Sequence, residues 1–155
     1  MGRMTADEFI IREASGADMP GIARVRTSVT ENHLTTEQLA QRGITNASVA
    51  ASLLVHRKGW VAERSGEIVA FSMADRADAS IFALFVLPGY EARGLGHRLL
   101  DLALQWLWDS GAELAWLTTS PDTRAARFYE RRGWVPAGMV PGGDMRFELR
   151  RPASL

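Results

Sequence analysis

The chain of 155 residues contains no cysteine. This absence excludes disulfide bonds, thiolate metal sites and covalent catalysis on a cysteine sulfur. Its three histidines, His33, His56 and His97, do not show the i, i+4 spacing of helical metal ligands. We therefore expect no metal site.

The sequence also lacks an excess of charge and a long apolar run. Lys+Arg and Asp+Glu both number 18, so no overall field attracts nucleic acid or an anionic membrane. The longest apolar run, 81–87, is too short to span a bilayer, and residues 1–8 contain no apolar signal core. These features predict no nucleic-acid partner, no membrane partner and a cytoplasmic location.

What the chain does contain is enough apolar material for a core. Hydrophobic residues make up 46% of it and charged residues 23%, as in ordinary globular proteins. There is no internal repeat, low-complexity tract or linker. We expect one domain over residues 1–155.

The most informative segment is 86–100, where a short apolar strand turns through Gly94 and Gly96 into an amphipathic helix. Glycines let an anion approach the backbone closely, and the free N–H groups of a first helical turn carry partial positive charge. Alone, such a pair of glycines is more often a plain strand-to-helix turn than an anion site. It lacks the third glycine of a dinucleotide fingerprint, which makes a nucleotide-binding domain a weak alternative.

A second segment, 122–134, follows a strand-like run over 112–119. Together the two segments resemble the GNAT superfamily of acyl-CoA-dependent N-acyltransferases. The first resembles V-x-P-x-Y-[RQ]-x-x-G-x-G and the second N-x-x-A-x-x-F-Y-x-x-x-G-[FW]. The matching residues are Val86, Pro88, Tyr90, Gly94 and Gly96, then Ala125, Phe128, Tyr129, Gly133 and Trp134. The chain departs from the patterns at Glu91, where Arg or Gln is usual, and at Asp122, where Asn is usual.

Strand and helix patterns alternate along the chain. We predict strands over 9–13, 60–64, 68–74, 80–87, 112–119, 134–140 and 145–150. We predict that helices begin at five places: after a cap at Ser15 or Asp18, near Thr35 or Thr36, at Asn46 or Ser48, after Gly94, and after a cap at Asp122. Segments 60–64 and 68–74 form a hairpin across Ser65-Gly66. The fold class is α+β. The resemblance implies a three-layer GNAT-like fold, with a mixed central sheet of about seven strands, about four helices, and splayed fourth and fifth strands.

The helix after Gly94 has two apolar stripes. One contains Leu95, Leu99, Leu102, Ala103 and Trp106, and the other contains Leu100, Leu104 and Trp108. Such a helix is either covered on two sides or takes part in the interface of a homodimer. Core burial is the simpler expectation.

The resemblance implies acetyl-CoA as the cofactor. Its diphosphate would bind about five backbone N–H groups between Glu91 and His97, in the stretch that contains Gly94, Leu95 and Gly96, and Arg93 would add a cation beside them. Its pantetheine arm would lie along Leu84, Phe85 and Val86, with Asp122 as a further contact. We expect the Glu91 carboxylate to turn away from the diphosphate or to pair with Arg93, because two anions repel each other. Asp122 is equally well explained as a helix N-cap.

For catalysis, the resemblance points to Tyr129 as the group that donates a proton to the departing thiolate. A half-buried tyrosine that only packs beside Phe128 is the alternative. The acceptor amine must lose a proton, and Glu31 and Asp78 are the candidate bases, although no spacing distinguishes them from solvated surface residues.

The sequence thus predicts direct acetyl transfer from acetyl-CoA to a primary amine of a small molecule or protein. The alternative, kept open by Glu91 and Asp122, is a non-catalytic acyl-CoA-binding protein of the same fold.

Overall fold

The computed structural model describes residues 9–28, 41, 45–53 and 55–153. Their strands form one sheet in the order β1-β2-β3-β4-β5-β7-β6. The strands are β1 (Ile10–Glu13), β2 (Arg57–Arg64), β3 (Glu67–Asp75), β4 (Ser80–Val86), β5 (Leu114–Thr119), β6 (Val135–Met139) and β7 (Met145–Arg150). The described α-helices are α1 (Met19–Ser28), α2 (Asn46–Ser52), α3 (Leu95–Asp109) and α4 (Arg124–Arg131). The predicted fold class, with its mixed sheet and flanking helices, is confirmed.

The β2–β3 hairpin forms where the sequence predicts it. Ser65 and Gly66 connect the strands with φ of 53° and 82°. Positive φ at both central residues gives the turn a twist that matches antiparallel strands. The hairpin is longer than expected, because β2 begins at Arg57 and β3 ends at Asp75, paired with each other.

Helices cover both faces of the sheet. On one face, Ile22 and Val25 of α1 and Val49 of α2 pack in a cluster with Phe71 of β3. On the other face, α3 and α4 share a larger cluster, to which α4 contributes Tyr129. These are the three layers that the resemblance implied.

The sheet divides between its two parallel neighbours, β4 and β5. They pair only at Ser80 and Trp116, where the Trp116 indole N–H also donates to the Asp78 carbonyl oxygen at 2.8 Å. Immediately afterwards β4 bulges: Ala74 faces Ile81 and Met73 faces Ala83, which leaves Phe82 as the extra residue. A bulge bends its strand, and beyond this one β4 and β5 separate. The predicted splay is therefore confirmed.

Helix α3 is covered on two sides. Leu100, Leu104 and Trp108, the second apolar stripe, are buried together with Leu95 and Leu99. The expectation of core burial is confirmed for this stripe. The same expectation is wrong for Leu102 of the first stripe, which is 37% exposed. The buried side is centred on Leu99 and Ala103, so Leu102 falls at its edge.

Of the predicted helix starts, that of α2 at Asn46 is confirmed, and that of α4 differs from the structure. Thr45 caps α2 and exchanges hydrogen bonds with Ser48. Thr123, not Asp122, caps α4, and its hydroxyl accepts from the Ala126 N–H at 3.1 Å. Asp122 has a left-handed φ of 61°, whereas a residue that caps a helix with its side chain, as Thr123 does, typically has extended backbone. The helix expected near Thr35 lies outside the described residues.

Within the described ranges, no helix has both the length and the apolar character needed to cross a membrane.

Truncation of Leu99 tests this account of the core. Leu99 is fully buried, so Leu99→Ala removes contacts and leaves a cavity, and we expect the free energy of unfolding to fall by about 2–5 kcal/mol. Leu102→Ala, on the same helix, is the matched control and should cost less than about 1 kcal/mol. Urea denaturation of both variants makes the comparison, and equal losses would show that the buried face of α3 is misassigned.

Candidate functional site

The corner between β4 and α3 leaves the start of the helix open. Gly94 is its N-cap, with a left-handed φ of 80°, and no side chain caps the helix there. The N–H groups of Leu95, Gly96 and His97 precede the first intrahelical donor, Arg98, which bonds to the Gly94 carbonyl. They therefore form a partly positive surface that suits an anion.

The two glycines of this corner have different roles. A Cβ on Gly94 would meet open space, so glycine is needed there for its backbone conformation. Gly96 has ordinary helical backbone, and a Cβ would lie 3.6 Å from Phe128 and 3.9 Å from Val86, which are normal contacts.

Glu91 is bound to the loop itself. Its carboxylate accepts from the Gly89 N–H at 2.9 Å. Hydrogen bonds from its own N–H and from Gly89, with the nearby charge of Arg124, hold the pKa of Glu91 below its usual value. Of the two expected arrangements, pairing with Arg93 does not form: the Glu91 carboxylate binds the loop backbone, and Arg93 stacks on Tyr90, 5.5 Å from the ring centre.

A cavity of about 700 Å³ extends from this corner between β4 and β5. Predicted cofactor residues in its wall are Leu84, Phe85, Val86, Glu91, Gly94, Leu95, Gly96 and His97. Arg93 and Asp122 are not among the lining residues. After the split, the β4 backbone edge that faces β5 has no strand partner in the described part of the chain. Such an edge can bind an extended ligand as an additional strand.

Three arginines of this wall were missed by the sequence analysis: Arg124, Arg131 and Arg132. Arg132 stacks on Phe128 at 3.9 Å and its Nε donates to His97 Nδ1 at 3.1 Å. The sequence does contain a signal for these arginines, because positions 124, 131 and 132 fall on the same side of a helix as Phe128. These cations give the cavity a positive end next to the α3 N-terminus.

Tyr129 lines the same cavity while remaining 6% exposed. Its ring contacts Phe128, Trp134 and Phe147 with centre distances of 5.4, 5.7 and 6.3 Å. Burial raises the pKa of the Tyr129 phenol. The hydroxyl therefore keeps its proton at neutral pH and can act as a donor.

A second cavity, of about 710 Å³, lies on the α1 and α2 face. It shares Ile81, Phe82, Leu117 and Thr118 with the first, so the two cavities meet where β4 and β5 separate. Asp78, a predicted base, is exposed and lines this second cavity, with Oδ1 accepting from the Ser80 N–H at 3.1 Å. Glu31, the other predicted base, lies outside the described residues.

A salt-bridge network that sequence reasoning missed forms the second cavity's polar end. Asp75 Oδ2 accepts from Arg57 Nε and Asp75 Oδ1 contacts His56 Nδ1, both at 2.9 Å. Burial opposes ionisation of Asp75, but the bonds from Arg57, His56 and the Ala77 N–H outweigh it and lower its pKa. The arrangement can bring a polyanionic ligand from one face and a second ligand from the other to a common point.

Comparison with known proteins agrees with this geometry. The profile of the Acetyltransferase (GNAT) family matches residues 24–134. An uncharacterized N-acetyltransferase of Mycobacterium tuberculosis is 34% identical over 77 residues, which cover 47% of this chain and 49% of the relative. The chain thus spans about half the length of the curated relatives it matches. An uncharacterized N-acetyltransferase of Mycobacterium bovis matches with the same figures.

Two solved structures show the same fold. The PaiA N-acetyltransferase of Thermoplasma acidophilum, in complex with coenzyme A, has a TM-score of 0.78 at 15% identity over 93% of this chain and 99% of that one. A GCN5-related N-acetyltransferase of Rhodopseudomonas palustris has a TM-score of 0.74 at 22% identity over 97% and 100%.

Alanine at Gly94 tests the corner. Gly94→Ala forces a side chain into left-handed backbone at a cost of about 1–2 kcal/mol, and we expect the affinity for coenzyme A to fall about tenfold as the loop relaxes. Gly66→Ala is the matched control and should bind as wild type, because Gly66 has nearly the same left-handed φ of 82° and open space at its Cβ but does not line the cavity. Calorimetric titration measures both. Unchanged affinity in Gly94→Ala would contradict the role of the corner.

Proposed function

From the premise that this chain belongs to the GNAT family of acetyltransferases, we propose that it transfers the acetyl group of acetyl-CoA to a primary amine. The observation that carries this proposal is the meeting of two cavities where β4 leaves β5. One cavity suits a large anion and the other suits an acceptor. A cytoplasmic location, where acetyl-CoA is available to the enzyme, is part of the proposal.

The residues of the first cavity fit acetyl-CoA. The uncapped N–H groups of Leu95, Gly96 and His97 would bind the diphosphate, at about 1.5–3 kcal/mol for each charge-assisted hydrogen bond. Arg124, Arg131 and Arg132 would supply cations for the phosphates. Arg93 stays a proposed contributor from the rim, and Asp122 a proposed contact of the pantetheine arm.

The open edge of β4 would hold the pantetheine arm along Leu84, Phe85 and Val86. The Val86 N–H is our candidate for polarising the thioester carbonyl. Fixed backbone donors of this kind need no reorganisation during the reaction. We infer that the bulge at Phe82 keeps this edge free of β5 and so preserves the donors for the ligand.

When bound, acetyl-CoA would supply a thioester: the amine nitrogen would bond to the acetyl carbon, the carbon–sulfur bond would break, and coenzyme A would leave as a thiol. The proton that the amine gives up would pass through the base to solvent, and solvent would return one proton to Tyr129 after the tyrosine has protonated the sulfur. Tyr129 would hold a proton on its hydroxyl oxygen and donate it toward the departing sulfur. The position of Tyr129 in the wall of the first cavity supports this role. Because burial raises the pKa of the phenol, the hydroxyl is a hydrogen-bond donor at rest and would give up its proton only as the sulfur becomes negative.

The proton acceptor for the amine stays a proposal with two candidates. Asp78 lies on the wall of the second cavity, where its carboxylate is exposed and can take a proton directly or through water. Glu31 is retained from the sequence. The acceptor molecule, a small amine or a protein amine, occupies the second cavity in this proposal.

Removing the Tyr129 hydroxyl tests the chemistry. Tyr129→Phe keeps the ring contacts and removes only the donor, so we expect kcat to fall about 100-fold or more while the affinity for acetyl-CoA stays unchanged. The assay is release of coenzyme A thiol with a panel of amines. Tyr90→Phe, at the only other tyrosine, should retain the wild-type kcat.

Full turnover by Tyr129→Phe would remove Tyr129 from the mechanism. Binding of acetyl-CoA by the wild type without turnover of any amine would favour a non-catalytic binding protein.

Neutralising Glu91 tests the electrostatics of the corner. Glu91→Gln keeps an oxygen that can accept from the Gly89 N–H and removes a negative charge beside the proposed diphosphate site, so the affinity for coenzyme A should stay equal or rise a few-fold. Calorimetry at low and high salt makes the measurement, because screening reduces a charge effect. A large loss of affinity would mean that the carboxylate itself organises the site.

A further inference from the structure

The second cavity has a feature that the acetyl transfer proposed above does not use, namely an arginine with unoccupied donors next to the opening between the strands. Arg57 lines this cavity, and its Nε is bound to Asp75. Nη1 and Nη2 of Arg57 have no hydrogen-bond partner within the described ranges. An arginine presents these amino groups in a fixed planar fork that matches a carboxylate.

Arg57 is held in place from two sides. Its guanidinium carbon lies 4.5 Å from the centre of the Phe82 ring, and Asp75, which fixes its Nε, is buried. Phe82 is the bulge residue at which β4 turns away from β5. The free end of the guanidinium therefore stands close to the point where the two cavities meet.

The remaining wall suits a small molecule that carries both charges and an apolar body. Phe71, Met73 and Ile22 form an apolar floor, and Asp78 supplies a carboxylate at the rim. Asp75 binds Arg57 through Nε and also contacts His56 Nδ1, and within the described ranges no carboxylate pairs with Nη1 or Nη2 of Arg57. A ligand with an ammonium group and a carboxylate complements Asp78 and Arg57 together.

We propose that the acetyl acceptor is a small apolar amino acid, whose carboxylate pairs with Nη1 and Nη2 of Arg57 while its amine faces the opening between β4 and β5. This inference rests on the proposed acetyl transfer, and it assigns Arg57 as the residue that selects an acceptor with a carboxylate. A protein amine has no carboxylate beside it and would leave Nη1 and Nη2 of Arg57 without an acceptor.

Matched acceptors separate the carboxylate from the rest of the molecule. L-Phenylalanine, L-methionine and L-leucine are compared with their primary amides, which are similar in size and lack the negative charge. We expect kcat/KM for at least one acid to exceed that of its amide about tenfold or more, the effect of one charge-assisted contact. The amine of an amide is less basic and more often unprotonated, so amine basicity alone would favour the opposite order.

Variants assign the preference to Arg57. In Arg57→Gln the ratio of kcat/KM for an acid to kcat/KM for its amide should fall to near one. Arg57→Lys keeps a positive charge and should retain part of the preference for the acid. Arg146→Gln is the matched control, because Arg146 also binds a carboxylate through Nε, stacks on an aromatic ring at 4.3 Å and is 34% exposed, yet does not line the cavity. Its ratio should equal that of the wild type. A loss of folding would lower both rates and leave the ratio informative, and thermal melts of each variant check for it.

Three results would overturn the inference: amides used as well as acids across the panel, an unchanged ratio in Arg57→Gln, or turnover only of peptide N-terminal amines. In the last case acetyl transfer stands and only the acceptor class is wrong.

If no amine is turned over, the proposed function fails, and calorimetry with coenzyme A present still tests Arg57. Binding of an acid but not its amide, lost in Arg57→Gln, would support the carboxylate site, and equal or absent binding would refute it.

Discussion

The separation of β4 from β5 is the constraint on which the rest of the site depends. The two strands are joined at Ser80 and Trp116 and further tied by the Trp116 indole bond to the Asp78 carbonyl. A parallel pair would ordinarily continue, but the extra residue Phe82 bends β4 out of register. The backbone edge that would have bonded β5 is left open to a ligand, and the opening joins cavities on the two faces of the sheet.

Charge is distributed locally in a chain whose net charge is zero. Arginines of α4 and the N-terminus of α3 make one end of the first cavity positive, while Glu91 is held on the loop by the N–H groups of that same corner. The second cavity combines Arg57 with Asp75 and Asp78. Because the net charge is zero and salt screens exposed charges over about 8–10 Å, the effect of these groups is short-ranged, and specificity comes from contact geometry more than from long-range attraction.

Local features of the fold could be predicted from the sequence, and contacts between distant segments could not. Ser65-Gly66 specifies its hairpin, and Gly94 marks the corner, because both depend on backbone conformation over a few residues. Arg57 pairs with Asp75, 18 positions along the chain, and stacks on Phe82, 25 positions along. No local pattern marks these contacts, because they depend on which residues of neighbouring strands lie opposite each other. Asp122 and Thr123 are adjacent and both residue types are good caps, so the sequence does not separate them; in the structure Thr123 accepts from the Ala126 N–H and Asp122 has left-handed backbone.

The most direct test of the central claim is amide hydrogen exchange with and without coenzyme A. An open β4 edge and an uncapped α3 start should exchange readily in the free protein and become protected on binding, at residues 84–86 and 94–97 together. The paired strands β2 and β3 should change little. Protection confined to other segments, or no change at β4 under saturating ligand, would contradict the account.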